Sequence, residues 1–476
     1  MTALAVRLRV AGPRAAGPNV GFIAAATLLL AALALCINRV HNGDVYLELA
    51  AGRFVAHNGF VWHDPFPTIA AGREWLNQQW LSELFFYNLV RVVGMTGMTL
   101  LYALLLGLPL SWLLWQVRRK GVTMMAWGAA LYFPTVLAIV HPRAAAFSVA
   151  ALAVLVALLL RGGTPTLAIP ALFALWANLH GGFVAGLLLL GLVGLGTLLE
   201  GGRPRLRAPR PSLRRAAIGL AALGATFATP LGPRVWEYVW SFHNPAISFA
   251  TQEWEPAIHR PAVLVHLAIV VAFGAWLWVG SPRRPATPML VLGGFVALTL
   301  YSQRNVALLG PIMVYVIARC APDREHAPAR RSPVVVVGLA AVAAIAVWAF
   351  VLGPARPAPY LKPRLVATVL RHPPASGRIA AVAGIGSYLL WRGARTPVVI
   401  NGWLEHYRPD ELRGAYIALR PTAAGLGYIR RLRIGGVITR SPATVRWLAS
   451  HGFRVEASTT EGTYLVRSAP AGASPR

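Results

Sequence analysis

Acidic residues are scarce in this chain. Its 476 residues include 16 Asp and Glu against 45 Lys and Arg, a formal net charge of +29. Lysine is rarer still: Lys120 and Lys362 are the only two, so arginine carries the basic charge. Charge of either sign is thin, at 13% of residues, whereas 56% are hydrophobic. A disordered basic protein or a soluble nucleic-acid binder with this net charge would be rich in charge overall, and a water-soluble globule would be less apolar. The combination points to a polytopic membrane protein. Abundant Arg, Ala, Gly and Pro with almost no Lys matches the coding bias of a GC-rich genome, so the high basicity is read as composition and no nucleic-acid partner is expected.

Cysteine is nearly absent too. Cys36 and Cys320 alone exclude a disulfide framework and a four-thiolate metal site. A lipoprotein reading of Cys36 fails because the bulky Leu35 precedes it and the apolar chain continues for hundreds of residues. No clean small-x-small cleavage site follows the first apolar run, so an uncleaved first span is expected.

Apolar runs long enough to span recur at roughly 21–38, 96–117, 122–140, 144–160, 165–179, 183–199, 216–230, 262–280, 288–302, 305–320 and 333–353. The pair 165–179 and 183–199 is short and separated by Asn178-Leu179-His180-Gly181-Gly182, so one long kinked span is the alternative there. The positive-inside rule arbitrates. With the N-terminus in the cytoplasm, the cytoplasmic segments hold 19 basic residues and three acids (Glu200, Asp323 and Glu325), and the outer loops hold eight of each. Merging the pair would move the six arginines of 203–215 outside, which favours eleven spans. The expected fold is therefore mainly α: a transmembrane helical bundle over 1–353 with a large first outer loop (about 39–95), followed by a small extracytoplasmic α/β domain over 354–476. Strands are expected at Arg378–Val382, Pro397–Ile400, Ile434–Thr439, Phe453–Ala457 and Thr463–Val466. Helices are expected at Asp410–Leu419 and from Ser441, an N-cap, to His451. The Pro-rich segment Gly353–Pro359 reads as a stiff linker.

The outer loops hold the candidate chemistry. The first contains five of the chain's 16 acids, Asp44, Glu48, Asp64, Glu74 and Glu83, interleaved with Tyr46, Trp62, Trp75 and Trp80 and with the amides of Asn77, Gln78 and Gln79. Carboxylates that bond or deprotonate hydroxyls, beside indoles that stack on pyranose faces, suit a sugar site. The competing explanation for any one Trp is the aromatic belt at a membrane interface. A second outer loop, about 229–261, carries Arg234, Glu237, His243, Glu253, Trp254, Glu255 and His259. The turns His141-Pro142-Arg143 and Ser302-Gln303-Arg304-Asn305 lie at the same face as His180. Cations gathered there suit a lipid-linked phosphate, although any single Arg is equally explained by snorkelling or a helix-end partner.

Several stretches carry a family resemblance: Asp44-Val45-Tyr46-Leu47-Glu48-Leu49-Ala50-Ala51-Gly52-Arg53, His63-Asp64-Pro65-Phe66-Pro67-Thr68, Glu74-Trp75, Trp80-Leu81-Ser82-Glu83-Leu84, Trp176-Ala177-Asn178-Leu179-His180-Gly181-Gly182 and Gln252-Glu253-Trp254. They resemble a group of bacterial polytopic proteins placed near the GT-C glycosyltransferases, and the resemblance covers most of the chain. It implies an enzyme of the bacterial cytoplasmic membrane that takes a sugar from a polyprenyl-phosphate carrier at the outer face and passes it to an envelope glycan or lipid acceptor. It also implies an acidic base in the first outer loop. Asp44, about six residues past the first span, matches that position, and Asp64 is the second choice. Each has a local alternative: Asp44 as the N-cap of an interfacial helix at 45–55, Asp64 before Pro65 as a turn former. The expected substrate contacts are His141, Arg143, His180, Arg234, Glu253, Arg304, Trp75 and Trp80. The adjacent Asp-Glu pair of many protein O-mannosyltransferases and the Trp-Trp-Asp signature of oligosaccharyltransferases are both missing, which leaves the acceptor class open. With no Asp-x-Asp motif, the expectation is a metal-independent inverting transfer with no cofactor beyond the donor lipid. The competing readings are a non-catalytic scaffold and a transporter or flippase of lipid-linked saccharides. The second would need a polar path or inverted repeat that the nearly acid-free spans lack.

Overall fold

A computed structural model describes residues 43–139, 141–161, 167–201, 210–241, 252–323 and 361–468. The expected first and last spans (21–38 and 333–353), the Pro-rich linker, residues 202–209 of the Arg-rich loop and His243 lie outside the described residues. The fold is mainly helical with one small sheet.

Eleven described helices precede the sheet domain's first element: α1 (Gly43–Asn58), α2 (Trp80–Gln116), α3 (Val122–Ala138), α4 (Ala145–Leu160), α5 (Ala168–Leu179), α6 (Phe183–Glu200), α7 (Arg210–Ala225), α8 (Val235–Ser241), α9 (Pro261–Gly280), α10 (Ala286–Tyr301) and α11 (Val306–Cys320). The bounds of α3 to α6 and α9 to α11 follow the apolar runs, because Arg, Pro and Gly interrupt them; α7 is displaced toward the N-terminus from the run expected at 216–230, and α1 and α8 match no expected span. α2 is broken at Gly94, whose φ of 71° lies in the left-handed region that glycine tolerates. The break separates a polar loop-side half from the apolar half that the sequence marks as a span. The uncertain pair resolves into two helices: α5 ends at an extended His180 (φ −166°, ψ 143°) and α6 starts at Phe183. α2, α6 and α9 are long and apolar enough to cross a membrane, whereas α4, α5 and α10 are apolar but shorter. The 12 residues of α5 cover only about 18 Å of a hydrocarbon core roughly 30 Å thick.

α4 and α11 are buried nearly all round, from Ala146 to Leu158 and from Ala307 to Cys320, and form the bundle's centre. α7 and α9 instead expose Leu220, Ile269 and Trp276, an apolar surface of the kind that lipid covers.

The C-terminal part comprises α12 (Pro363–Arg371), β1 (Arg378–Ala380), α13 (Ala383–Trp391), α14 (Pro409–Ile417), α15 (Ala423–Arg431), β2 (Ile434–Thr439), α16 (Pro442–Ala449), β3 (Phe453–Thr459) and β4 (Gly462–Arg467). The sheet order is β1-β2-β4-β3, with β1 parallel to β2 and the other pairs antiparallel. Fully buried β2 is its core strand. Ser441 caps α16 by accepting the Thr444 N–H at 3.2 Å, as its sequence position predicts.

One expected strand behaves differently. Pro397–Ile400 makes a single bridge, Ile379 to Val398. Its other edge goes to the loop between α1 and α2: the Val398 N–H donates to the Pro67 carbonyl at 2.9 Å, and the Ile69 N–H donates to the Val399 carbonyl at 3.3 Å. A backbone edge must find partners somewhere, and here the loop supplies them. The same seam holds Trp75 against Trp403, ring centroids 4.0 Å apart, and a bidentate Arg73–Glu411 pair, one arm at 2.8 Å. Arg53 donates to the Leu390 and Trp391 carbonyls at 3.1 Å. Gly43 touches Gly384 so closely that a Cβ there would strike its backbone. The C-terminal part is therefore docked on the segment 43–79 along α1 and α13.

Candidate functional site

Asp44 sits in the first turn of α1, where a carboxylate suits the positive end of the helix dipole. Glu48 follows one turn later on the same face. Both line a polar cavity of about 220 Å³ with Gln79, Arg143, His180, Tyr238, Glu253, Trp254, Arg304 and the segment Gly402–Glu405. A second cavity of about 710 Å³ shares Arg143, His180, Tyr238, Glu253, Trp254 and Arg304 and continues between helices, lined by Val149, Leu188, Val263 and Leu298. One cavity is thus polar and lined in part by the C-terminal part. The other is largely apolar and runs among α4, α6, α9 and α10. The shared cations and His180 lie at their junction.

The junction is tightly organised. Arg143 clamps the Glu253 carboxylate with two bonds of 2.8 and 2.7 Å, the planar fork that arginine provides. Burial pushes the Glu253 carboxyl up, but the Arg143 bonds and charge outweigh it and hold the group below its ordinary range. The next residue is also fixed, since the Ala144 N–H donates to Glu48 at 2.8 Å. Burial raises the Glu48 carboxyl well above its ordinary range, with that backbone bond as the main opposing influence. Across the polar cavity, burial likewise raises Glu405, opposed chiefly by His406.

Arg304 differs from Arg143. Its guanidinium lies 4.1 Å over the Trp254 ring, a cation–π contact. Among the described residues no carboxylate pairs with it at ion-pair distance. Burial, reinforced by the charge of Arg143, lowers its pKa. Such a site favours an anion, because a buried cation without a counter-charge is costly. His180 lines the same two cavities: Nδ1 lies 2.7 Å from the Ser148 hydroxyl and 3.1 Å from the Gly182 N–H, which donates to it. Burial, then the charges of Arg304 and Arg143, push the imidazole down to about 3, so it is neutral at physiological pH.

Asp44, Arg143, His180, Glu253 and Arg304 are thus brought together, and five other expected site residues are not. Asp64 is buried away from both cavities, accepting the Phe66 N–H at 2.9 Å and the Thr68 hydroxyl at 3.4 Å, the turn geometry of an Asp before Pro. Trp75 is buried in the seam with Trp403 and is not available to stack on a sugar. The Trp80 indole N–H donates to Asn178 at 2.9 Å, fixing the loop to α5. Arg234 bridges Glu74 at 2.8 Å and Glu237 at 3.2 Å on the surface. His141 stands in the electrostatic field of Glu253 but does not line either cavity. None of these five lines either cavity.

Residues not singled out as site groups also enter. Glu48 was foreshadowed by its spacing of four from Asp44 on one helix. Glu405 had no signal, because it arrives from a separate part of the chain.

No protein-family model matches the chain, and no curated protein matches it in sequence. Solved structures match it in fold. The apo oligosaccharyltransferase of Archaeoglobus fulgidus aligns over 92% of this chain and 73% of its own, with TM-score 0.54 at 12% identity. ArnT from Cupriavidus metallidurans, bound to undecaprenyl phosphate, aligns over 96% of this chain and 99% of its own, with TM-score 0.53 at 15% identity. The A. fulgidus AglB complex with an inhibitory peptide and a dolichol-phosphate aligns over 90% and 72%, with TM-score 0.52 at 11% identity. The chain therefore resembles GT-C glycosyltransferases in its fold, as its loop motifs implied.

Proposed function

We propose that this chain is a membrane glycosyltransferase of the GT-C type. It moves a sugar from a polyprenyl-phosphate carrier to an envelope glycan or lipid acceptor at the outer face of the bacterial cytoplasmic membrane. In this reading the chain crosses the membrane eleven times, with the N-terminus in the cytoplasm and the C-terminal domain outside. The observation that carries the reading is the joined pair of cavities: an apolar one among the helices, a polar one under the C-terminal part, and Arg143, Arg304 and His180 between them. That order matches the donor's own order of prenyl chain, phosphate and sugar.

The reaction follows from it. Asp44 takes the proton from the acceptor hydroxyl as that oxygen bonds to the anomeric carbon. The bond from the anomeric carbon to the phosphate oxygen breaks, and its electron pair leaves with the lipid phosphate. Charge growing on the phosphate is met by the Arg143 and Arg304 guanidiniums, which need no reorganisation because Glu253 and Trp254 already hold them. Glu48 and Glu405, whose carboxyls burial shifts toward the protonated form, line the polar cavity where the sugar sits and can hydrogen-bond its hydroxyls. The transfer asks for no cofactor beyond the donor lipid and proceeds with inversion, without a metal.

The test uses purified chain, a panel of radiolabelled undecaprenyl-phosphate sugars and envelope acceptors. Transfer by the wild type, lost in Asp44→Asn, is the expected result. No transfer across the panel would sink the enzyme class. Undiminished transfer by Asp44→Asn would remove Asp44 as the base while leaving the class standing.

A further inference from the structure

The hydrogen bonds around His180 settle which ring nitrogen carries its proton. The Gly182 backbone N–H reaches Nδ1 at 3.1 Å, and a backbone N–H can only donate. Nδ1 is therefore the bare, accepting nitrogen. The Ser148 hydroxyl, 2.7 Å from Nδ1, agrees. Its oxygen accepts the Trp176 indole N–H at 2.8 Å, and indole is a donor only, so the hydroxyl proton is directed to His180. The relay runs one way, from Trp176 through Ser148 to Nδ1, with Gly182 as a second donor. Glycine is required at 182, because a Cβ there would collide with the Ser148 hydroxyl. The remaining proton of a neutral imidazole sits on Nε2. Among the described residues nothing bonds to that nitrogen, and the ring lines both cavities.

We propose that His180 is a neutral donor locked in one tautomer, presenting its Nε2–H to an oxygen of the lipid phosphate at the cavity junction, and that Ser148 and Trp176 are positioning residues that set the tautomer. The proposal rests on the donor-binding reading above. A neutral donor between two guanidiniums has a physical advantage: a third cation beside Arg143 and Arg304 would repel them when the site is empty, whereas an N–H dipole stabilises the phosphate without adding charge. The charged groups that bear on the ring are Arg304 and Arg143, and both oppose its protonation.

The experiment takes the full chain in detergent with ¹⁵N-histidine and assigns the His180 ring signals by their loss in His180→Gln. Without ligand, the ring should be neutral and protonated on Nε2 throughout the range in which an ordinary histidine titrates. Ser148→Ala should mix the tautomers, and Ser148→Thr should restore the single one, a rescue that a packing role would not produce. A charged ring, or one protonated on Nδ1, overturns the proposal. With undecaprenyl phosphate as the probe, His180→Ala should weaken binding about tenfold, while His180→Gln, which keeps an N–H donor and cannot titrate, should stay within about threefold. Equal loss in both variants overturns the donor role. If the wild type fails to bind the probe, the donor-binding reading falls and the phosphate contact with it; the tautomer is read in the same sample before any ligand is added, so the two failures are told apart.

Discussion

The segment 43–79 holds two groups of acids and aromatics that look alike in sequence and sit in different surroundings. Asp44 and Glu48 stand on α1 and line the polar cavity. Asp64 belongs to a turn, Glu74 to a surface ion pair with Arg234, and Trp75 to the seam that fastens the C-terminal part to the loop. Asp44 and Glu48, one turn apart on a helix, both face the polar cavity. A carboxylate before proline satisfies its own turn and has little left for a substrate. An indole at a seam is used up by packing, as Trp75 is against Trp403. Residue type therefore proposes chemistry, but the partners already present at each position decide whether it is available.

Substitutions can break this comparison. The largest effect is expected at Asp44. Asp44→Asn should lower transfer by about 10²–10⁴-fold with little change in thermal unfolding, the size of effect a general base has. An equal loss from Asp64→Asn, per folded molecule, would erase the distinction between the two groups.

Trp75→Ala should instead act on stability. Truncating a buried aromatic costs about 3–5 kcal/mol, read as a lower unfolding temperature and faster proteolysis at the seam. Activity would fall only as the folded fraction falls. A loss of sugar affinity with unchanged stability would return Trp75 to the site.

The pH dependence of stability sharpens the comparison further. Burial raises the Glu48 carboxyl in the folded chain, so the native state binds its proton more tightly than the unfolded chain does. That contribution is fully present below the ordinary carboxylate value of about 4.5 and is lost as pH rises through the raised folded value. Glu48→Gln keeps the oxygen that accepts the Ala144 N–H and removes the titration. Wild type should lose stability relative to Glu48→Gln as pH climbs above about 4.5, measured by thermal unfolding across pH. A flat difference would show that the carboxyl is not held protonated.

The smallest effect is expected at Arg234. Its bridges to Glu74 and Glu237 are solvent-exposed, and exposed pairs contribute little. Arg234→Ala should leave unfolding temperature and transfer unchanged, and a marked drop in donor affinity would bring it back into the site.

Much of this was legible before any coordinates. The apolar runs and their Arg, Pro and Gly interruptions mark the helix bounds because backbone groups in lipid must bond within their own segment. α4, α6, α9, α10 and α11 begin and end within a residue or two of the expected runs. Asp44, Arg143, His180, Glu253 and Arg304 stood out for a similar reason: few polar residues occur in so apolar a chain, and those near one membrane face are visible against the rest. The small number of acids was itself the signal.

The sequence by itself determined a mainly helical fold and the places of most apolar helices, because these depend on local composition. Only the tertiary structure decided which of the polar groups meet. Glu405 reaches the cavity from some 360 residues beyond Asp44, carried there by a seam in which Pro67–Ile69 bonds to Val398 and Val399. Arg234 and Trp75, with no less suggestive neighbours in sequence, are bound elsewhere. Whether a side chain is free to bind a substrate depends on contacts between distant segments, and those are fixed by packing in three dimensions, not by the order of residues along the chain.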